Sequence, residues 1–313
     1  MESQPLISII IPVFNVKDYV AELAKCFLHQ TYRNFEVLWI DDWSTDGSLE
    51  KLQSYSDKRF RCYKRPDSLP KGGQSCRNYG MDMSKGDYLI IIDSDDLIPG
   101  FFVEQRLKAM LLHPEMDMCI FPAYSFYDGS NFKPQEWWGK PTGEDVLQSF
   151  LRNKFQYTVW TNIYKASFIK QIRWDERIKL HQDLDFNIST LLLYPKMMFV
   201  EDAQPDYYYR IRKGSVCSKF ITDEKHLSSM YLFDKIYNRL NLGLKMNESL
   251  KACFWEHMQD YRGRLVPEGN WKHRFSFVSF VRNKFGLAKA VYIFFSFLYK
   301  IPKYRLHVLI KKI

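Results

Sequence analysis

A parallel α/β sheet with helices on both faces, continued by a mainly helical C-terminal region, is the fold class the sequence predicts. Three observations lead there. Between residues 7 and 98, short apolar runs alternate with amphipathic stretches, the pattern of successive β-α units. Polar clusters close those runs, Asn15 after the first, Asp41 and Asp42 at the second, Asp93 to Asp96 at the fourth. From Thr222 onward, helical spacing replaces strand signals. The expected division is residues 1–220 for the α/β domain and 221–313 for the helical region.

The elements follow in order. LISIIIPV, starting at Leu6, reads as a strand buried on both faces. VKDYVAELAKCFLHQ places Val20, Leu23, Ala24, Phe27 and Leu28 at helical spacing. FEVLWIDD is a second strand, and STDGSLEKLQSY opens with hydroxyl and carboxylate caps before continuing as a helix. RFRCYK suits a short third strand, GGQSCRNYGMDMSK a helix entered through glycines, and DYLIIID the fourth strand. Beyond it the pattern loosens. DMCIFPAYSFY suits a further strand, TGEDVLQSFLRN a capped helix and QPDYYYRIR a late strand. In parallel sheets ligands bind at the carboxyl ends of the strands, so the three polar clusters should share one rim.

Composition narrows the partners. The 313 residues are 46% hydrophobic and 26% charged, enough for a large core. The aromatic share of 17% suits a sugar-binding enzyme, a membrane-surface protein or simply a ring-rich core. Six cysteines stand without a CxxC pair, which points to reduced thiols in the cytoplasm. Seven histidines form no HxH or HExxH cluster. The N-terminus lacks a basic n-region and leads into a strand, unlike a signal peptide. Net charge is +9, yet from Trp271 to Ile313 there are ten Lys or Arg and no Asp or Glu. Such confined charge suggests a surface partner and not nucleic acid, for which no reader motif is present.

Charge at the end of the fourth strand carries the chemistry. IIIDSDDLIP crowds Asp93, Asp95 and Asp96 at the tip of a core strand. One aspartate suffices to cap a helix near Pro99; three go beyond capping and call for a cation. No phosphate-binding glycine loop is present, so a nucleotide's phosphates would rely on Mg²⁺ or Mn²⁺ held by hard oxygens. Asp95 is the better ligand, and Asp93 suits a ribose hydroxyl or the orientation of the ion. At the second strand, Asp42 can accept the N3–H of uracil, a donor that cytosine lacks.

SIIIPVFN, QTYRNFEVLWIDDWSTDGS, GGQSCRNYGM and KGDYLIIIDSDDLIPG together resemble the successive motifs of family 2 glycosyltransferases with the GT-A fold. The resemblance covers about the first hundred residues in order. It implies a nucleotide-sugar pocket lined by Pro12, Phe14, Asn15, Asp42, Arg77, Asp93 and Ser94, with Asp95 on the metal. Trp43 stands where the family usually has Gly, and Cys76 where it usually has Ala. Further on, WTNIYKASFI and LHQDLDFN resemble the acceptor-side motif, which puts Asp183 in the place of the catalytic base and Gln182 in that of a Glu. On a helix, Asp183 and Asp185 point to different sides, and Phe186 would pack on the supporting side; the alternative is that both aspartates cap a helix near His181. YYYRIRKGSV also resembles a family segment, in which Arg210 or Arg212 would reach the diphosphate or merely face solvent. Trp137 and Trp138 can stack on a sugar or pack the core.

The expected protein is an inverting, metal-dependent glycosyltransferase that moves a sugar from a UDP-sugar to a hydroxyl of a glycan or lipid-linked glycan. The setting implied by the family is surface polysaccharide biosynthesis. A transferase to polyprenyl phosphate would need no base, a nucleotidyltransferase would need a glycine- and arginine-rich opening motif, and a non-catalytic scaffold would need neither Asp95 nor Asp183. The basic tail contains the uncharged run Val291 to Tyr299, too short to span a bilayer. It suits an anionic membrane surface on the cytoplasmic side, or packing on the catalytic domain or on a second subunit of a homo-oligomer.

Overall fold

The structure is a computed structural model that describes residues 4–129, 137–212, 221–243 and 247–310. Cys217 and the last two lysines of the tail, Lys311 and Lys312, lie outside them. Two compact units are present: residues 1–144, 155–176 and 182–215 form the first, and residues 145–154, 177–181 and 216–313 the second.

The first unit opens with β1 (Ile7–Val13), α1 (Lys17–Leu28), β2 (Phe35–Asp41), α2 (Ser48–Gln53), β3 (Phe60–Lys64), α3 (Gly73–Met83) and β4 (Tyr88–Ile91). β1 pairs in parallel with β2 and β4, and β2 with β3, so all four carboxyl ends lie on one rim. Every residue of β2 is buried, as expected of a strand covered on both faces. Phe27 of α1 sets its ring edge-on to Trp39 at 5.9 Å. On the opposite face, α3 approaches so closely that a Cβ at Gly80 would lie 2.4 Å from Ile10 Cγ2. Side chains alternate along β2, so Trp39 and Ile40 hold these two helices on the two sides. The alternation read from the sequence therefore stands.

The remaining elements change the expected sheet. After α4 (Phe102–Leu112), the stretch expected as one further strand is two, β5 (Met118–Ile120) and β6 (Ala123–Tyr127), in different sheets. Pro122 cannot donate to a ladder, and the chain breaks there. β7 (Trp137–Trp138), the helix α5 (Val146–Leu151) of the second unit, β8 (Asn162–Lys165), α6 (Ala166–Ile169), α7 (Gln182–Leu191), β9 (Met197–Phe199) and β10 (Tyr207–Ile211) follow. The main sheet runs β3-β2-β1-β4-β8-β5-β9, with β8 antiparallel to both its neighbours. It is thus mixed and mostly parallel. The late strand β10 joins β6 and β7 in a separate sheet.

Within the second unit, α5 packs on α9 (Glu248–Leu265), preceded by α8 (Asp223–Gly243) and followed by α10 (Trp271–Phe285) and α11 (Leu287–Ile310). Asp145 caps α5 by accepting from Gln148 N at 2.9 Å. Phe233, Phe254, Tyr261 and Phe277 build its core. No helix among the described residues is long and apolar enough to cross a membrane.

Candidate active site

The rim carries the residues singled out by the sequence. Where β1 ends, Asn15 takes a positive φ of 50° and accepts from Thr45 N at 2.8 Å, while its own N–H donates to Ser44 Oγ at 3.0 Å. This ties the β1 and β2 exits together. Trp43 takes φ 64°, the left-handed conformation that glycine adopts without strain and a bulky L-residue only at a cost of about 1–2 kcal/mol. That is a physical reason for the Gly that the family resemblance implies at this position. The indole Nε1 donates to Arg65 O at 3.1 Å, which holds the ring. Phe14 and Trp43 are both more than two-fifths exposed, although both are large apolar side chains. Lys71 Nζ lies 4.3 Å from the Phe14 ring centre and Lys64 Nζ 5.2 Å from that of Trp43. Pro12 is half-buried inside β1.

Asp42 is buried, and its Oδ1 accepts from Arg65 Nε at 2.6 Å. This partner was missing from the sequence reading, because nothing local in KRPD marks Arg65 as the counter-ion of a residue 23 positions earlier. Cys76 sits beside them. Burial, and then the Asp42 charge, push its thiol up to about 12, so it is an inert core group.

The three aspartates after β4 have three different partners. Asp93 Oδ1 accepts from Arg77 Nη2 at 2.7 Å. Arg212 Nε lies 2.7 Å from Asp95 Oδ2. Asp96 is fully buried and accepts from Arg210 N at 2.7 Å and from the Tyr207 hydroxyl. Asp96 is therefore the brace that fastens β10 to the acidic loop. No aspartate caps α4, whose first turn is preceded by Phe101 without a side-chain cap. Ser94 is buried between the two outward carboxylates. Burial, and then the Asp93 charge, hold the Asp95 carboxyl above the usual carboxylate range.

The two arginines of the late strand are not equivalent. Arg210 donates to Asp95 O at 2.6 Å, Asp128 Oδ1 at 2.8 Å and Glu22 Oε2, which commits its guanidinium to structure. Arg212 faces the Asp95 carboxylate itself. Trp138 packs edge-on to Trp160 at 5.5 Å and to Tyr209 at 5.8 Å, a packing role; the Trp137 side chain lies outside the described residues.

Asp183 lies in the first turn of α7, inside the helix and not at a cap. Removal from water pushes its carboxyl up to about 6, with Arg77 pulling it down and Asp93 pushing it up. Arg77 thus acts on both sides of the site. It bonds Asp93, donates to Gln182 Oε1 at 3.3 Å and sits over Trp174, its Cζ 4.5 Å from the ring centre. Trp174 stacks on Phe186 at 4.1 Å with the planes 12° apart. Asn78, next to Arg77, clamps the Trp174 backbone, accepting from its N–H at 2.9 Å and donating to its C=O at 3.0 Å. Phe186 packs as expected; Trp174 was not foreseen, since no signal in QIRWDE links it to α3. Asp185 is buried.

The outward carboxylates fit a hard cation. Among the described residues no third Asp, Glu, His or Cys completes a metal cluster with them. The chain thus offers one or two oxygens and leaves the other positions to phosphates and water, as Mg²⁺ sites commonly do.

A mostly parallel sheet with this rim defines a GT-A glycosyltransferase, and comparison of folds agrees. S. aureus TarS 1–349 in complex with UDP-GlcNAc matches with a TM-score of 0.70 at 20% identity, over 89% of this chain and 81% of that one. The mannosyltransferase PcManGT from Pyrobaculum calidifontis, in complex with GDP-Man and Mn2+, matches with a TM-score of 0.51 at 10% identity, over 95% and 88%. The family model for Glycosyl transferase family 2 covers residues 8–173, and the chain belongs to that family. It is 29% identical to the glycosyltransferase GlyA of Streptococcus pneumoniae over 83% of this chain, spanning 37% of GlyA's length. An uncharacterized glycosyltransferase of Haemophilus influenzae is 29% identical over 83% of this chain and 97% of its own. The Escherichia coli UDP-Glc:alpha-D-GlcNAc-diphosphoundecaprenol beta-1,3-glucosyltransferase WfaP is 31% identical over 67% and 79%.

Proposed function

We propose that the protein is an inverting glycosyltransferase that takes a UDP-sugar as donor, requires Mg²⁺ or Mn²⁺, and acts in surface polysaccharide biosynthesis. The acceptor is a hydroxyl of a glycan or lipid-linked glycan. The observation that carries the reading is the pairing of the outward carboxylates Asp93 and Asp95 with a separate carboxylate, Asp183, whose proton affinity is raised to about 6. A base tuned toward neutral pH suits proton removal from a sugar hydroxyl. Support for the donor comes from Asp42 at the β2 exit and from the WfaP name, which specifies UDP-Glc.

The uracil sits at Pro12, Phe14, Asn15 and Asp42, and the diphosphate lies toward Ser94, Arg77 and Arg212. Asp95, with Asp93 beside it, would hold the ion, which supplies positive charge to the leaving diphosphate. Asp183 takes the proton from the acceptor hydroxyl as that oxygen bonds to C1 from the face opposite the donor phosphate. The C1–O bond to phosphate breaks with its electron pair, and UDP leaves. One displacement inverts the anomeric centre. The WfaP name specifies a diphosphoundecaprenol acceptor, and we place this enzyme peripherally on the anionic cytoplasmic face of the membrane.

The test is UDP release from a panel of UDP-sugars with a glycan acceptor, with and without chelator, in the parent and in Asp95→Asn. Release is expected only with metal, with a loss of roughly a hundredfold or more in Asp95→Asn. Full turnover in excess chelator sinks the metal assignment.

A further inference from the structure

The hairpin of α10 and α11 carries more apolar surface than its packing uses. Ala290, Ile293, Phe297 and Ile301 are buried and recur at helical spacing, so they form the inner stripe of α11. The side next to it is also apolar. At 100° per residue Leu287, Val291, Phe295, Leu298 and Pro302 fall together, and all five are exposed. Phe295 is 61% exposed. The patch extends onto α10 through a ladder of rings, Phe294 lying 5.8 Å from Phe295 and 6.1 Å from Phe275, and Phe275 5.6 Å from Trp271. Phe275 is 55% exposed. Lys289, Lys300 and Lys303 share the remaining side of α11, turned away from the outer stripe. Lys303 Nζ lies 4.1 Å from the Tyr299 ring centre, at the margin of the apolar side.

The apolar residues of α11 span more of the helix than its packing covers, and the outer part of that arc stays exposed. We infer that the outer side of α11, with Phe275 and Trp271 of α10, is the face that lies on an anionic lipid bilayer. The inference rests on the reading that the enzyme works at a membrane, and assigns the surface that does it. The helix lies in the plane of the interface, with Val291, Phe295 and Leu298 among the upper acyl chains and Lys303, at the margin of that face, reaching back to the headgroups. Charge decides between lipid and a second copy of the chain. From Trp271 to Ile313 every formal charge is positive, so a two-fold pairing of this face would set like charges against each other, whereas anionic headgroups complement them.

The test uses the full chain in flotation with phosphatidylcholine vesicles, alone or with 30% phosphatidylglycerol (roughly a plain anionic surface), at low and high salt. The variants are Phe295→Glu with Leu298→Glu, and Lys300→Glu with Lys303→Glu. All four positions are exposed, so melting temperature and UDP release should stay at parental values. The parent should float with the anionic vesicles and less so in salt; each double variant should lose roughly tenfold or more in partitioning. A parent that ignores every vesicle overturns the membrane reading itself. A parent that floats while Phe295→Glu/Leu298→Glu floats equally well leaves that reading standing and overturns the assigned face. A concentration-dependent dimer abolished by the same double variant also overturns it, in favour of a second copy.

Discussion

Asp183 is held in the fold at a cost, and the direction of that cost is measurable. Its folded-state proton affinity, about 6, exceeds the ordinary aspartate value of 3.8. Between those pH values the folded chain binds the proton more tightly than the unfolded chain. Stability therefore falls as pH rises through the window, and the full cost is present above it. Asp183→Asn should accordingly stabilise the protein at pH 8 by on the order of 1 to 3 kcal/mol, and hardly at all at pH 4. Thermal melts at the two pH values check this; equal shifts at both would sink it. The same substitution should lower turnover by roughly 10²–10⁴-fold with donor affinity kept. In the parent, turnover should decline as pH falls through about 6. The pair of Arg212 and Asp95 makes a second demand at this scale. With Arg212 Nε 2.7 Å away, Asp95 already has a counter-charge, so a free divalent ion must compete with it. Arg212→Ala should bind Mn²⁺ alone more tightly and Mn²⁺ with UDP more weakly, by calorimetry. Unchanged affinity for Mn²⁺ alone would mean that the arginine does not guard Asp95.

Between elements, the decisive contact is the loop at Trp174, gripped by α3 and stacked on α7. Asn78 holds its backbone, Arg77 covers its ring, and Phe186 lies flat beneath, three residues past Asp183. Trp174→Ala should leave UDP affinity within about threefold but cut turnover at least tenfold and move the pH midpoint, because the helix that carries the proposed base loses its seat; Trp174→Phe, which keeps a ring, should recover most of both. Loss of UDP binding alone would assign Trp174 to the donor side. Such contacts explain what the sequence could reveal. β1, β2 and the helices between them were legible because long apolar runs and helical spacing are local signals. The carboxylates were legible because charge at the end of a buried strand is anomalous. β8 was not, since NIYK is too short to show a period and its antiparallel course depends on neighbours. Arg65, Trp174 and Tyr207 were silent for the same reason: their partners are 23 to 111 residues away, and only the folded chain brings them together.

At the scale of the molecule, the two compact units differ in kind. The first is a mixed sheet built around strands from the opening ninety residues; the second is helical and carries the positive charge. The sequence loses its strand signal after Thr222; segments 145–154 and 177–181 join the helical unit without any break in composition to announce it. The brace at Asp96 has a consequence in time. Its partners, the Tyr207 hydroxyl and Arg210 N, lie 111 and 114 residues downstream, and Arg212 follows. A chain emerging from the ribosome can align β1 to β4 early, since domains form from the N-terminal side as synthesis proceeds. The acidic loop must then wait, its charges uncompensated by that strand, until more than two hundred residues have been made. On the proposed reading, donor binding therefore waits for β10, because a nascent sheet without it lacks the partners of Asp95 and Asp96.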